Sequence, residues 1–128
     1  KVLSSSGKIN PALYRETVGA WTEVTKDSTV IGKVTNKETG ELEDSASGRY
    51  TSYTVEDSWI LCADGYASSK SAAVSYFDAS GNYLGYDALG GLSGTVFEKV
   101  VLMVPIGTTT VRVQAALAGQ SMALYRLV

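Results

Sequence analysis

Ala73-Val74-Ser75-Tyr76-Phe77-Asp78-Ala79-Ser80-Gly81-Asn82-Tyr83-Leu84-Gly85 is the stretch on which the fold turns. A β-branched and aromatic run meets a short polar segment and resumes with Tyr-Leu. Aspartate at the start of a turn accepts hydrogen bonds from backbone N–H groups two residues on, and glycine adopts positive φ without a Cβ penalty. The pattern predicts a hairpin, with strand 71–77, a turn at 78–82 and a return strand at 83–86.

Working outward, short strand-like segments follow one another in both directions. Residues 20–26 and 29–35 alternate, and Asn36-Lys37-Glu38-Thr39-Gly40 is a second Gly-terminated hairpin link. Strands are then expected at 49–55, 59–63, 95–104, 109–117 and 122–128, with Pro105-Ile106-Gly107 separating two of them. Turn signals every 8–12 residues or so, with no later apolar period of 3.6, predict an all-β antiparallel β-sandwich or barrel. One short helix is expected near the start: Asn10 suits the N-cap, Pro11 the first turn and Gly19 the position past the end. Leu13, Tyr14, Thr17 and Val18 share one face of that helix over 11–18. The organisation read from this is an N-terminal extension over 1–28 and a β-sandwich module over 29–128.

Composition removes whole classes of chemistry. The 128 residues carry 11 Lys and Arg against 13 Asp and Glu, a net charge of −2, and no His. Without imidazole there is no Ser-His-Asp or Cys-His nucleophile and no His metal site. One Cys makes neither an internal disulfide nor a multi-Cys zinc site, and Cys62, in an apolar strand, reads as an inert buried thiol. A slightly acidic chain is not expected to bind nucleic acid, and no apolar run approaches the ~20 residues of a membrane span. A start at Lys1 rather than Met reads as an excised domain or a processed product.

From Arg49 to Ala115 the order of features is similar to a known type of module. The Thr/Tyr strand Tyr50–Val55 leads to Trp59-Ile60-Leu61, and the hairpin Phe77-Asp78-Ala79-Ser80-Gly81-Asn82-Tyr83 follows. Then comes Val104-Pro105-Ile106-Gly107-Thr108-Thr109-Thr110-Val111-Arg112-Val113. This resembles the jelly-roll, galactose-binding-like accessory modules of bacteriophage fibre proteins and of surface glycan-processing proteins of gut bacteria. The resemblance implies a jelly-roll-like sandwich at an extracellular or virion location. Its implied role is non-catalytic binding of a cell-surface glycan or receptor, with trimerisation as a source of multivalency.

Strand polarity nominates a site. If consecutive strands run antiparallel, the segments 45–48, 64–70, 87–94 and 118–121 share one end, and the tight turns 56–58, 78–82 and 105–108 share the other. Binding residues concentrate on irregular loops held by a rigid scaffold. Tyr66 and Tyr86 flank the irregular end and supply flat rings of the kind that stack on sugars. Arg49, Asp64, Lys70, Asp87 and Gln120 supply donors and acceptors there. Tyr50, Tyr53, Tyr76, Tyr83 and Trp59 read instead as packing residues, and Arg112 as a solvent-facing strand residue.

Other constellations fall away. No pair of acids stands in a glycosidase motif, so the chain is not expected to be an enzyme. The run from Asp78 begins like a calcium loop, but Tyr83 and Leu89 stand where that motif needs Gly and Glu; a structural Ca²⁺ has no motif to support it, and no cofactor is expected. Gly90-Gly91-Leu92-Ser93-Gly94 lacks the lysine of a phosphate cradle. The competing function is a structural module of a virion fibre or capsid with no ligand of its own, assembling through Leu13, Tyr14, Val18 and Trp21.

Overall fold

The computed structural model describes residues 20–67, 71–87, 95–115 and 120–127. The expected helix over 11–18, its apolar face and the segment 90–94 lie outside the described residues. Those described form nine strands and no helix: β1 (Trp21–Glu23), β2 (Ser28–Thr35), β3 (Leu42–Thr54), β4 (Leu61–Ala67), β5 (Val74–Phe77), β6 (Tyr83–Asp87), β7 (Thr95–Val101), β8 (Thr110–Ala115) and β9 (Ala123–Leu127). β1, which opens one sheet, falls within the span read from sequence as an extension.

The strands pair as a nested antiparallel ribbon. β5 and β6 form the innermost hairpin; around it β4 pairs with β7, β3 with β8 and β1 with β9. Successive pairs alternate between two sheets, ordered β1-β9-β4-β7 and β2-β3-β8-β5-β6. That winding is a jelly roll, with β2 added outside β3. The expected all-β antiparallel sandwich is therefore present.

The inward faces make one core. Val74 and Tyr76 of β5, Val111 and Val113 of β8 and Tyr53 of β3 meet Leu61 and Ala63 of β4 and Leu124 of β9. Each fully buried large side chain contributes roughly 1.5–3 kcal/mol. Tyr53 is buried without an orphaned hydroxyl: it accepts from the Thr51 hydroxyl at 3.0 Å and donates to the Met122 carbonyl at 3.4 Å. Burial, the main cause, pushes its phenol above the ordinary tyrosine range.

The turn at 78–82 is built as its residues dictate. The Asp78 carboxylate accepts from the Ser80 and Asn82 amides, both at 2.9 Å, and Gly81 takes φ +84°. These bonds hold the Asp78 carboxyl below its usual range. At the same end Val55 N–H donates to Thr109 C=O and Thr109 N–H to Phe77 C=O, so three connections are tied together as polarity counting predicts.

Three boundaries differ from the sequence reading. Trp59 is not in a strand; its N–H closes a turn on Glu56 C=O at 3.1 Å, and pairing begins at Leu61. Residues 64–67, expected as loop, continue β4, because the Asp64 carboxylate satisfies a bulge in the neighbouring strand. Residues 45–48, also expected as loop, lie within β3. There the register passes from Ile31↔Arg49 to Lys33↔Asp44, so Ser45 to Gly48 stand opposite Gly32 alone.

That bulge has a large consequence, since extra residues in one strand bend a ribbon. Beyond it, residues 33–44 form an arm that lies across the outer face of the five-stranded sheet. Ala72 N–H donates to Thr35 C=O at 2.9 Å, Asn36 bridges Ser71, and the Tyr83 hydroxyl donates to Lys37 C=O at 2.6 Å. The arm's tip is the expected link: the Asn36 side-chain oxygen accepts from Glu38 N–H at 2.8 Å and Thr39 N–H at 3.1 Å.

Candidate functional site

Alternation along β8 sends Val111, Val113 and Ala115 into the core and Thr110, Arg112 and Gln114 outward. Register carries that outward face across the sheet. Arg112 stands opposite Ser52 on β3 and Ser75 on β5, Ser75 opposite Tyr86 on β6, and Ser52 opposite Ser28 on β2. One row therefore reads Ser28, Ser52, Arg112, Ser75, Tyr86. Tyr50 and Gln114 flank it on one side, and Phe77 and Tyr83 on the other.

Arg112 is the centre of this face and is half-buried rather than solvated. Its guanidinium lies 4.1 Å from the Phe77 ring centroid and 5.1 Å from that of Tyr50. Both rings are 6% exposed, because the arm covers much of the face that strand alternation alone would leave in water. Tyr83 packs on Phe77 at 5.5 Å, and burial pushes its phenol up to about 12. Gln114, also buried, donates to the Ser71 hydroxyl at 2.6 Å and accepts from Thr35 N–H at 3.4 Å. The hydroxyls of Ser75 and Thr35 are buried on this face without a hydrogen-bond partner. Tyr86 is the open edge of the row, 44% exposed, with the Lys37 ammonium 5.9 Å from its ring.

The residues nominated from sequence do not gather into one patch. Tyr86 faces outward from the five-stranded sheet, whereas Tyr66 follows Asp64 on the outward face of the four-stranded sheet, opposite Val96. Asp64 is buried and engaged through both oxygens: Oδ1 accepts from Lys99 N–H at 2.8 Å, and Oδ2 from Ser121 at 2.8 Å and Tyr125 at 3.0 Å. It locks the β7 bulge, where Lys99 takes φ +46°. That contact helps to push the Tyr125 phenol up to about 12, after burial.

Asp87 turns inward beside Tyr76 and accepts from Met103 N–H at 3.1 Å. Burial first, and then this carboxylate, push the Tyr76 phenol well above its ordinary range. Arg49, opposite the buried Ala115, reaches Ser47 C=O at 3.4 Å. Arg49 and Asp87 are three strand spacings apart, about 14 Å. Gln120 is half-buried in the bend before β9, and Lys70 lies outside the described residues.

Of the six nominated residues that are described, only Tyr86 belongs to the aromatic face. Arg112, Ser75, Phe77 and Tyr50 were not nominated. The signal for Arg112 was present, a cation between two core valines, but an outward residue on a sandwich strand reads as solvated unless the arm is known. Comparison with family models, with curated proteins and with solved structures finds no match to this chain. No helix among the described residues is long and apolar enough to cross a membrane.

Proposed function

We propose that this chain is a non-catalytic carbohydrate-binding module, taking a cell-surface glycan on the outer face of its five-stranded sheet. The observation that carries the reading is the row Arg112, Ser75, Tyr86: a half-buried cation, a buried hydroxyl without a partner and an exposed ring in line. Sugars present alternating apolar faces and hydroxyl edges, so an aromatic platform beside directed donors is the complementary surface. The face is shallow, and one sugar unit offers few contacts against the cost of association. Useful affinity comes from display in several copies, which suits a phage fibre or an extracellular bacterial protein.

A multivalent form of the protein on a glycan array tests this. Binding that falls at least tenfold in Tyr86→Ala and persists in Tyr66→Ala, whose ring lies on the other sheet, supports the reading. Retention of no glycan by the multivalent wild type overturns it.

A second reading, an assembly module without a ligand, is favoured by a different observation. Ile106 is 94% exposed and Met103 58% exposed, both in the connection after β7. Self-association in sedimentation that Ile106→Ser abolishes, together with a blank array, selects that reading.

A further inference from the structure

Resting on the carbohydrate reading, we infer that the saccharide this face takes is anionic, and that Arg112 is the seat of its carboxylate or sulfate. A guanidinium drawn partly out of water normally meets a carboxylate. Arg112 does not: among the described residues its contacts are the faces of Phe77 and Tyr50, which balance charge but accept none of its N–H donors in plane. The two rings flank the guanidinium carbon at 4.1 and 5.1 Å, and a guanidinium fork is suited to the paired oxygens of a carboxylate or sulfate.

Three further features point the same way. Ser75, 1% exposed, stands beside Arg112 in the row with its hydroxyl unpartnered, a donor left for a ligand oxygen. Lys37, at the Tyr86 end of the row, makes a ring contact and no ion pair among the described residues. Of the arm's four acids, Asp44 pairs with Lys33 and Glu43 accepts from the Asn36 side-chain amide at 3.1 Å, while the charge of Glu38 is felt by Tyr83 at the edge of the face. Two cations thus face one aromatic row, and neither makes an ion pair among the described residues. The chain as a whole is anionic, with net charge −2, so it has no bulk attraction for polyanions, and selective binding of one would report a local site.

The test measures affinity of the full chain for polygalacturonate, dextran sulfate and unmodified dextran at two salt concentrations. The expected result is retention of at least one acidic polymer at least tenfold above dextran. Arg112→Gln loses tenfold or more, Arg112→Lys falls between, and Lys37→Gln, outside the paired core, loses a few-fold. Preference for polygalacturonate or for dextran sulfate then identifies the anion. Acidic binding that a folded Arg112→Gln leaves unweakened overturns the inference. So does Tyr86-dependent binding to neutral array glycans with no acidic preference, which leaves the carbohydrate module standing. No binding to any glycan, neutral or acidic, overturns both. Thermal melts of each variant identify any that fail to fold, and Lys37→Gln decides the matter if Arg112→Gln is among them.

Discussion

Replacing Gly40 by alanine tests whether the arm is seated on the sheet as firmly as its contacts indicate. Gly40 takes φ +76°, and a Cβ there would lie 2.3–2.6 Å from the Cγ, Cβ and Cδ1 atoms of Tyr83. Those are the root of the side chain, not its flexible end. Tyr83 has no room to swing, since it packs on Phe77 and donates its hydroxyl to Lys37 C=O. The backbone term costs about 1–2 kcal/mol for a non-glycine residue in the left-handed region. The overpacking adds about 1–3 kcal/mol, for a total of about 2–5 kcal/mol. Gly81→Ala is the matched control: φ is +84°, and nothing lies within 4 Å of the added methyl. Alanine stiffens the unfolded chain equally in both, so the difference between them isolates the Tyr83 contact. Urea denaturation should place Gly40→Ala about 1–3 kcal/mol below Gly81→Ala. Spectrophotometric titration should show one tyrosine, Tyr83, moving down from about 12 as the arm lifts. Equal stabilities for the two variants would refute the seating of the arm.

Asp64→Ala should cost about 2–4 kcal/mol in the same urea assay, because three donors lose a carboxylate acceptor and charge-assisted bonds of this kind are the stronger ones. Stability should be level between about pH 6 and 8, where a chain without His, its one thiol ordinarily titrating at about 8.5, has no side chain of matching ordinary pKa. It should then fall above pH 10: Tyr53, Tyr76, Tyr83 and Tyr125 all hold their protons more tightly folded than unfolded. That contribution is whole below the unfolded pKa near 10 and is lost as pH rises through the folded values. Tyr125→Phe removes one of these groups, so an alkaline fall in stability no shallower in that variant than in wild type would make Tyr125 a minor part of it.

The winding was legible because it depends on local signals. Asp78 and Gly81 specify one hairpin and Asn36 with Gly40 another, and period-2 alternation places Val111 and Val113 inward whatever the rest of the chain does. The site was less legible for a physical reason. Alternation distinguishes two faces but not what covers them. β5 is buried at all four residues, Val74 and Tyr76 by the core, Ser75 and Phe77 on the face the arm crosses. Only the four-against-one bulge at Ser45–Gly48, which no turn motif marks, creates that cover. The loop-end nomination failed to gather a patch because loop polarity gives the end of a sandwich, while Tyr66 and Tyr86 differ in the face from which they project.

The arm also changes what counts as an anomaly on this sheet. On an open face, an arginine between two aromatics is unremarkable, its head in water and its stem on the rings. Under the arm, Tyr50 and Phe77 pack as core residues do, and a cation among them gains from about 0.5 to about 2 kcal/mol through its ring contacts, more as it is drawn out of water. An apolar side chain of similar volume would serve packing at least as well, by the same reasoning that makes buried charges weak contributors to stability. Those ring contacts leave the N–H donors of Arg112 without an acceptor among the described residues. What a guanidinium supplies here and a leucine would not is a charged fork beside the unpartnered hydroxyl of Ser75. That surplus over the needs of the fold is the reason to place recognition on the sheet face rather than at the loops.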